Sequence, residues 1–286
     1  EEENVNLRNC MALTLAVALI ACLAATPADA GFKRLGASGL TFLKVAQGAR
    51  AAAMGDAFAS VGDDANTVFW NPAGMVYVEG REWSYNFTNW VVGSQFHSGT
   101  VVLNTDMGAF GISYLGFMPG EIEETTPFAP GGTGHMLAAG DMALGFAYAR
   151  RMTDRFSLGG HVQYIQETLD VETGSTLNVS LGTLFFTGFR SSRIAMTLKN
   201  FGKSETFLDD SFIMPMVFSV GAAMEVYGEK QDPNRLTVSA ENVFAIDYDN
   251  RAHLGAELWL QDMLALRAGY KFNYDAESWT MGGGLM

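Results

Sequence analysis

Cysteine is almost missing from this sequence. Among its 286 residues only Cys10 and Cys22 occur, and both lie in an N-terminal segment that has the features of an export signal. If that segment is removed, the mature chain carries no thiol. A disulfide scaffold, a cysteine-ligated metal and cysteine catalysis are then excluded together.

Charge is also scarce, above all positive charge. Charged residues make up 17% of the chain, against about 25% in an average globular protein, and the formal net charge is −13. This balance argues against a basic nucleic-acid-binding face and against the Lys/Arg cluster that holds a peripheral protein on anionic lipid. Hydrophobic residues (48%), aromatic residues (12%) and 32 glycines are abundant instead. That mixture favours β-structure with lipid on one side and small packed residues on the other.

A long apolar run is lacking too. Residues 11–25 are apolar, but this run is shorter than the ~20 residues of a membrane-spanning helix. Ala28 and Ala30 follow it in a small-x-small pattern, so we expect a signal peptide that is cleaved near Ala30. A competing interpretation is open, because residues 19–22 (LIAC) resemble a lipobox that would place a lipid on Cys22.

Alternation of apolar and polar residues runs through most of the remaining chain. In residues 264–274, for example, Leu264 and Leu266 oppose Arg267 and Lys271. Period two over about ten residues is typical of a strand long enough to cross a bilayer. The pattern predicts about twelve strands, at residues 82–92, 95–104, 107–118, 140–151, 155–169, 175–188, 192–201, 214–227, 234–243, 250–261, 263–274 and 278–286.

The non-apolar faces of these strands decide between two all-β folds. A soluble β-sandwich or lipocalin-like barrel would turn them to water, where about 25–35% of residues are charged. Here they are rich in Gly, Ala and Ser and carry only scattered charges, which suits a crowded barrel interior. We therefore predict a transmembrane antiparallel β-barrel. The scattered charges are Lys199, Glu225, Glu241, Glu257, Arg267 and Lys271.

Three segments are expected along the chain. Residues 1–30 form the signal peptide, residues 31–80 an N-terminal hatch or plug, and residues 81–286 the barrel. Longer loops are expected at 119–139 and 203–211. Because bacterial barrels close with an even number of strands, and because the sequence stops inside a predicted strand, we expect strands to be missing at the C-terminus.

The hatch segment predicts two short helices. The alanines around residues 51–53 favour the first, with Gly55 as an interruption. The second is expected to begin near Asp63 and Asp64, because carboxylates stabilise a helix N-terminus. It should end before residues 71–74 (NPAG), since the residue before proline avoids helical geometry.

Two local features of this segment are candidates for positioning it. Residues 71–74 predict a tight turn with a glycine of positive φ, which could place the hatch or could be purely structural. Arg50 is expected to pair with Asp56, Asp63 or Asp64, since buried charges need partners. The alternative is that these are solvated charges at helix ends.

Catalytic and cofactor-binding patterns are not found. The four histidines share no metal-ligand spacing, and residues 131–134 (GGTG) lack the Lys-Ser/Thr that follows in a phosphate loop. No nucleophile–base arrangement stands out either. We predict that the protein is not an enzyme, has no cofactor or metal, and binds no nucleic acid. The histidines are His97, His135, His161 and His253.

Residues 42–75 carry the most specific pattern of the chain, FLK…GARA…MG.AF…DDA…WNPAG. This stretch strongly resembles the N-terminal signature of the PorV/PorQ family, outer-membrane proteins related to the FadL-type transporters. The resemblance implies a FadL-like barrel, usually of fourteen strands, with the N-terminal segment inside the lumen as a hatch. The hatch positions that match the signature are Gly48, Arg50, Met54, Gly55, Asp56, Asp63, Asp64, Asn71, Pro72 and Gly74.

The resemblance also implies a location and two functions. The protein would reside in the outer membrane of a Gram-negative-type bacterium, in contact with outer-membrane lipid. Some members of the family serve type IX secretion, which implies secretion-system proteins or exported cargo as partners. The alternative is a FadL-like channel, which would bind a hydrophobic small molecule.

Overall fold

Antiparallel strands dominate the computed structural model, which describes residues 38–120, 122–202, 205–207 and 210–286. The predicted signal peptide, its cleavage near Ala30 and the lipobox at Cys22 lie outside these residues. The described strands are β1 Arg81–Asn89, β2 Gln95–Thr105, β3 Gly108–Met118, β4 Ile122–Glu123, β5 Met136–Leu137, β6 Ala139–Thr153, β7 Phe156–Leu169, β8 Glu172–Phe186, β9 Arg193–Gly202, β10 Glu205–Phe207, β11 Asp210–Phe212, β12 Val217–Tyr227, β13 Arg235–Ala245, β14 Arg251–Leu260, β15 Leu264–Phe272 and β16 Trp279–Leu285.

Twelve of these strands form one sheet in the order β1-β2-β3-β6-β7-β8-β9-β12-β13-β14-β15-β16. Each strand pairs antiparallel with its neighbour, and β1 and β16 are the two edges. The predicted all-β fold is confirmed, and each of the twelve predicted strands has a counterpart in this sheet. Strand ends differ by a few residues; β12 begins at Val217 and not at 214, because Pro215 has no N–H to donate to a ladder.

The two long loops predicted from the sequence are not wholly irregular, and this corrects the prediction. β4 pairs with β5 inside the first loop, and β10 pairs with β11 inside the second. Both hairpins have strands of only two or three residues. Such short strands offer too few alternating positions for a periodic pattern to be recognised.

In the large sheet, polar side chains are buried on the inner face and large apolar side chains are exposed on the outer face. On β14 and β15, His253, Glu257 and Lys271 are buried on the inner face. On the outer face Leu266 is 47% exposed, and on β6 Phe146 is 55% exposed. A soluble barrel would have the opposite arrangement, so the outer face is the kind of surface that lipid covers.

Residues 38–80 precede the large sheet and pack on its inner face; we call them the hatch. The helices of the hatch are short: η1 Thr41–Lys44, α1 Ala49–Ala53, α2 Thr67–Trp70 and η2 Pro72–Tyr77, with η3 Val91–Gly93 following between β1 and β2. Within the described part of the chain, no helix has both the length and the apolar character needed to cross a membrane.

The second hatch helix begins later than the sequence predicts. It starts at Thr67, because Asp64 forms a turn instead of a helix N-terminus. The Oδ1 atom of Asp64 accepts a hydrogen bond from the backbone N–H of Asn66 at 2.9 Å. This side-chain bond competes with helical geometry at the preceding residues. The helix ends at Trp70, directly before the Asn71-Pro72 pair, as predicted.

The sheet curves around the hatch, since both of its edges contact this segment. At one edge Ser84 of β1 donates to Asn66 Oδ1 at 2.9 Å, and at the other Thr280 of β16 donates to the carbonyl of Ala53 at 2.9 Å. The centre of the hatch is fully buried, with Met54, Phe58 and Met75 at 0% exposure. The interior of the sheet is therefore filled by packed side chains along the hatch.

Glycines on the inner face let the hatch backbone approach the strands closely. A Cβ on Gly269 would collide with the backbone of Met54 and Gly55, and one on Gly255 would lie 2.6 Å from the carbonyl oxygen of Met54. On the opposite side, a Cβ on Gly159 would collide with the backbone of Pro72 and Ala73. These glycines leave the space that the hatch backbone occupies, and they thereby set the position of the hatch.

Two adjacent glycines of β7 test this role. Gly159→Ala is expected to destabilise the barrel by about 1–3 kcal/mol, because the backbone at Pro72 must shift to admit the methyl group. Gly160→Ala is the matched control, since its Cβ would have its nearest neighbour at 3.5 Å on the outer face. The measurement is the temperature at which the folded band is lost on a denaturing gel. Equal loss of stability in both variants would contradict the role of Gly159 in leaving space for the hatch backbone.

Candidate functional site

We call the twelve-stranded sheet the wall. Arg50 on α1 forms ion pairs with several carboxylates and so links the hatch to the wall. Its Nε and Nη2 atoms donate to the two oxygens of Glu257 on β14, at 2.8 and 2.6 Å. Its Nη1 atom donates to Asp63 at 2.7 Å and to Asp64 at 3.0 Å. Two of the three partners considered from the sequence therefore contact Arg50, and Glu257 is a further one.

The carboxylate of Glu257 depends on this arrangement. Its side chain is only 2% exposed, and it also accepts a hydrogen bond from Arg267 Nε at 2.6 Å. A buried carboxylate is costly unless it is paired and hydrogen-bonded. The planar guanidinium of Arg50 matches the carboxylate through two parallel bonds. We call the cluster of Arg50, Asp63, Asp64, Glu257 and Arg267 the hatch anchor.

Opposite charges keep Arg50 and Asp63 ionised in the hatch anchor. Burial alone would raise the pKa of Asp63, but the cations of Arg50 and Lys230 hold the pKa of this carboxyl well below its usual range. Lys230 lies 3.2 Å from Asp63 Oδ2. Likewise, burial would lower the pKa of the Arg50 guanidinium, but Asp63 and Glu257 raise this pKa above its usual value. Arg50 and Asp63 thus remain charged at physiological pH.

Asp56 lies apart from the hatch anchor and pairs with the wall directly. Its Oδ2 atom is 2.7 Å from Lys271 Nζ on β15, and the same ammonium is 3.0 Å from Glu277. Asp56 follows Gly55, and both residues have positive φ, 64° and 63°. This turn is possible because Gly55 has no side chain to collide with β14 and β15. Burial raises the pKa of Asp56, and Lys271 opposes the shift.

A third contact joins the hatch to β9 and β12. Arg193 is 3% exposed; its Nε atom donates to the carbonyl of Ser60 at 2.7 Å, and its Nη1 atom donates to Glu225 at 2.9 Å. Nearby, Glu241 of β13 accepts the backbone N–H of Ala59 at 3.0 Å. Backbone groups of the hatch that lie outside regular structure therefore find their partners on the wall.

The Asn71-Pro72-Ala73-Gly74 stretch is a turn held by the Asn71 side chain. Its Nδ2 atom donates to the carbonyls of Ala59 and Thr183, at 2.9 and 3.0 Å, and its Oδ1 atom accepts from the N–H of Ala73. Pro72 occupies the first position of η2, where a missing N–H has no cost. The side chain of Asn71 thereby ties two parts of the hatch to β8.

Gly74 corrects one detail of the predicted turn. Positive φ is recorded at other glycines of the hatch, among them Gly48 and Gly55, and not at Gly74. Gly74 is instead required by close packing, because a Cβ there would collide with the side chain of Thr67 and lie about 2.5 Å from the carbonyl oxygen of Gly62. Gly48, with a φ of 93°, precedes α1 as its N-cap residue.

Six wall residues of these contacts were not among the site residues predicted from the sequence. Five of them stand in the sequence as isolated charges on the non-apolar faces of strands. That placement was the available signal, because an inward charge in a packed barrel must have a partner inside. The sequence alone does not reveal which hatch residue provides it. The six are Arg193, Glu225, Glu241, Glu257, Arg267 and Lys271.

A catalytic arrangement is not supported by the interior. Ser113 Oγ lies 2.8 Å from His161 Nε2, but the pair is buried and Phe69 packs edge-on against the histidine ring. A substrate would therefore have no access to the serine. In the described part of the chain, no group of three or more His, Cys, Asp or Glu side chains could hold a metal ion.

Removal of Arg50 tests how much the hatch anchor contributes to the stability of the folded protein. Arg50→Met leaves Asp63, Asp64 and Glu257 without their shared cation, and such a loss costs about 3 kcal/mol in partly buried sites. The heat-induced loss of the folded band should occur at a lower temperature. The matched control is Arg235→Met, whose partner Asp262 is 52% exposed on a turn, so less than about 1 kcal/mol is expected. Equal effects would refute a special role for Arg50.

The lowered pKa of Asp63 predicts a pH dependence. A carboxyl whose pKa is lower in the folded state adds stability above its unfolded pKa, about 3.9, and loses that contribution as pH falls toward the folded pKa. The difference in melting temperature between the wild-type protein and Asp63→Asn should be constant from pH 7 to about pH 4 and shrink below. A difference that grows on acidification would contradict this assignment.

Comparison with known proteins adds the family. A family model described as "Type IX secretion system protein PorV" matches residues 29–267 of this chain. The match includes the whole hatch, strands β1 to β14 of the chain and the first residues of β15, and it leaves out β16. No curated protein matches the sequence significantly.

Proposed function

The chain belongs to the PorV family of type IX secretion system proteins, and from this membership we propose that it receives exported cargo at the outer membrane as a closed, non-enzymatic barrel. Association with type IX secretion at the outer membrane comes with the family. The handling of cargo and the absence of catalysis are the parts that we propose.

The anchored hatch is the observation that carries the proposal. A channel needs a path through its interior, whereas here Met54, Phe58 and Met75 occupy the centre at 0% exposure. The hatch is also tied to β14 and β15 by Arg50 and by Asp56. A plug held by packing and by several charge pairs at once favours a permanently closed interior. Function then rests on the surfaces of the barrel and not on its lumen.

The alternative of a channel for hydrophobic compounds finds less support. Such a route requires an apolar lining, but the inner face places Lys199, Glu241 and Lys271 beside the hatch. A small cavity lined by Leu40, Ile165 and other residues measures only about 10 Å³. That volume holds roughly one water molecule and no acyl chain.

Deletion of the gene in its native bacterium tests the proposal. A secreted protein with a type IX sorting domain should no longer be attached to the cell surface and should be found in the periplasm or the medium. Complementation with the wild-type gene should restore attachment. The abundance of an unrelated outer-membrane barrel serves as the control for general envelope damage.

Uptake of a long-chain fatty acid, measured in the same strains, separates the two functions. We expect uptake to be unchanged while surface attachment is lost. Normal surface attachment in the deletion strain would overturn the secretion role. Slower uptake together with normal attachment would support the channel instead.

A further inference from the structure

A polar cavity of about 60 Å³ lies between the hatch and the wall. The hatch contributes Asp56, Trp70 and Lys44 to its lining, and the wall contributes Lys199 from β9 and Glu241 from β13. The ammonium of Lys44 is already paired with Asp247. Because roughly 10–15 Å³ of such volume holds one water molecule, the cavity has room for a few waters or for one solute of about five heavy atoms.

Lys199 is the unusual residue of this cavity. Its ammonium nitrogen lies 4.8 Å from the centre of the Trp70 ring, a cation–π distance. Within the described residues no hydrogen bond or direct ion pair joins it to a protein acceptor. An ammonium in a protein interior is costly unless it has an acceptor. Lys199 is partly exposed and borders the cavity, so the contents of the cavity can provide this acceptor.

Two carboxylates face Lys199 without touching it. Glu241 and Asp56 both act on its charge electrostatically, yet neither lies within ion-pair distance. Glu241 Oε2 accepts the N–H of Ala59, and Asp56 Oδ2 is bound to Lys271. The second oxygen of Asp56 is buried and has no hydrogen-bond partner. A cation, Lys199, and a carboxylate with unused bonding capacity, Asp56, thus border one small space together with Glu241.

The charges of the lining restrict what can fill this space well. A simple anion would pair with Lys199 but would be repelled by Asp56 and Glu241. A simple cation would pair with the carboxylates but would be repelled by Lys199. A molecule that carries both charges satisfies both sides at once, because its carboxylate can bond to the ammonium and its amine to Asp56.

We propose that the cavity between Lys199, Trp70, Asp56 and Glu241 binds a small zwitterion of amino-acid size that bridges the hatch and the wall. The ligand bonds to the hatch through Asp56 and to the wall through Lys199. It therefore binds only while the hatch is seated, and by mass action it stabilises the seated state. The proposal goes beyond the secretion role and does not depend on it.

The test uses the full chain purified in a nonionic detergent, since a zwitterionic detergent headgroup would compete. Glycine is the probe, and acetate and methylammonium are the matched half-probes that each carry one of its two charges. Calorimetric titration should show one-to-one binding of glycine at millimolar concentration and a higher melting temperature. Neither half-probe should have these effects. Because this comparison uses the wild-type protein, it does not depend on the folding of a variant.

Two variants then locate the site. Lys199→Met should weaken glycine binding by at least about tenfold, the loss expected for one charge-assisted hydrogen bond. Arg150→Met removes an exposed charge of β6 outside the cavity and should leave glycine binding unchanged. The absence of binding heat with glycine, equal binding of acetate and glycine, or unchanged affinity in Lys199→Met would each overturn the proposal.

Discussion

Charges on the inner face of a curved β-sheet that is filled by the hatch must be neutralised there, and this constraint governs the interior of the protein. The outer face is largely apolar, so most buried polar side chains of the strands face inward. Glu257, Lys271 and Arg193 are buried there, and water cannot reach them in bulk. The hatch supplies what they lack through Arg50, Asp56 and the carbonyl of Ser60. The wall and the hatch are thus two halves of one electrostatic arrangement.

The same constraint explains how far the sequence could predict the structure. Strands were predictable because burial differs between two faces, and this difference repeats every second residue over long segments. Leu266 and Arg267 illustrate the alternation, one exposed on the outside and the other paired inside. The hairpins β4–β5 and β10–β11 were not predictable, because their strands are too short to show a period. The start of α2 was missed because Asp64 bonds to its own backbone turn.

Side-chain partners were much less predictable than strands. The sequence suggested that Arg50 pairs with a nearby carboxylate, and Asp63 and Asp64 do lie beside it. The sequence could not indicate Glu257 as a partner, because Glu257 lies 207 residues away from Arg50. A contact between such distant residues depends on sheet curvature and strand register. Gly74 shows a related limit, since a glycine that avoids a collision cannot be distinguished in sequence from a glycine that adopts positive φ.

The separation in sequence between hatch and wall has a consequence for assembly. Arg50 and Glu257 are 207 residues apart, and Ala53 and Thr280 are 227 apart. The hatch thus finds two of its partners on strands that are synthesised long after it. Contacts of such high order form late, because loop closure must precede them. An assembling barrel therefore passes through a stage in which its first strands are paired while its N-terminal segment is still unsecured. The hatch becomes secured only once β14 and β16 are in place.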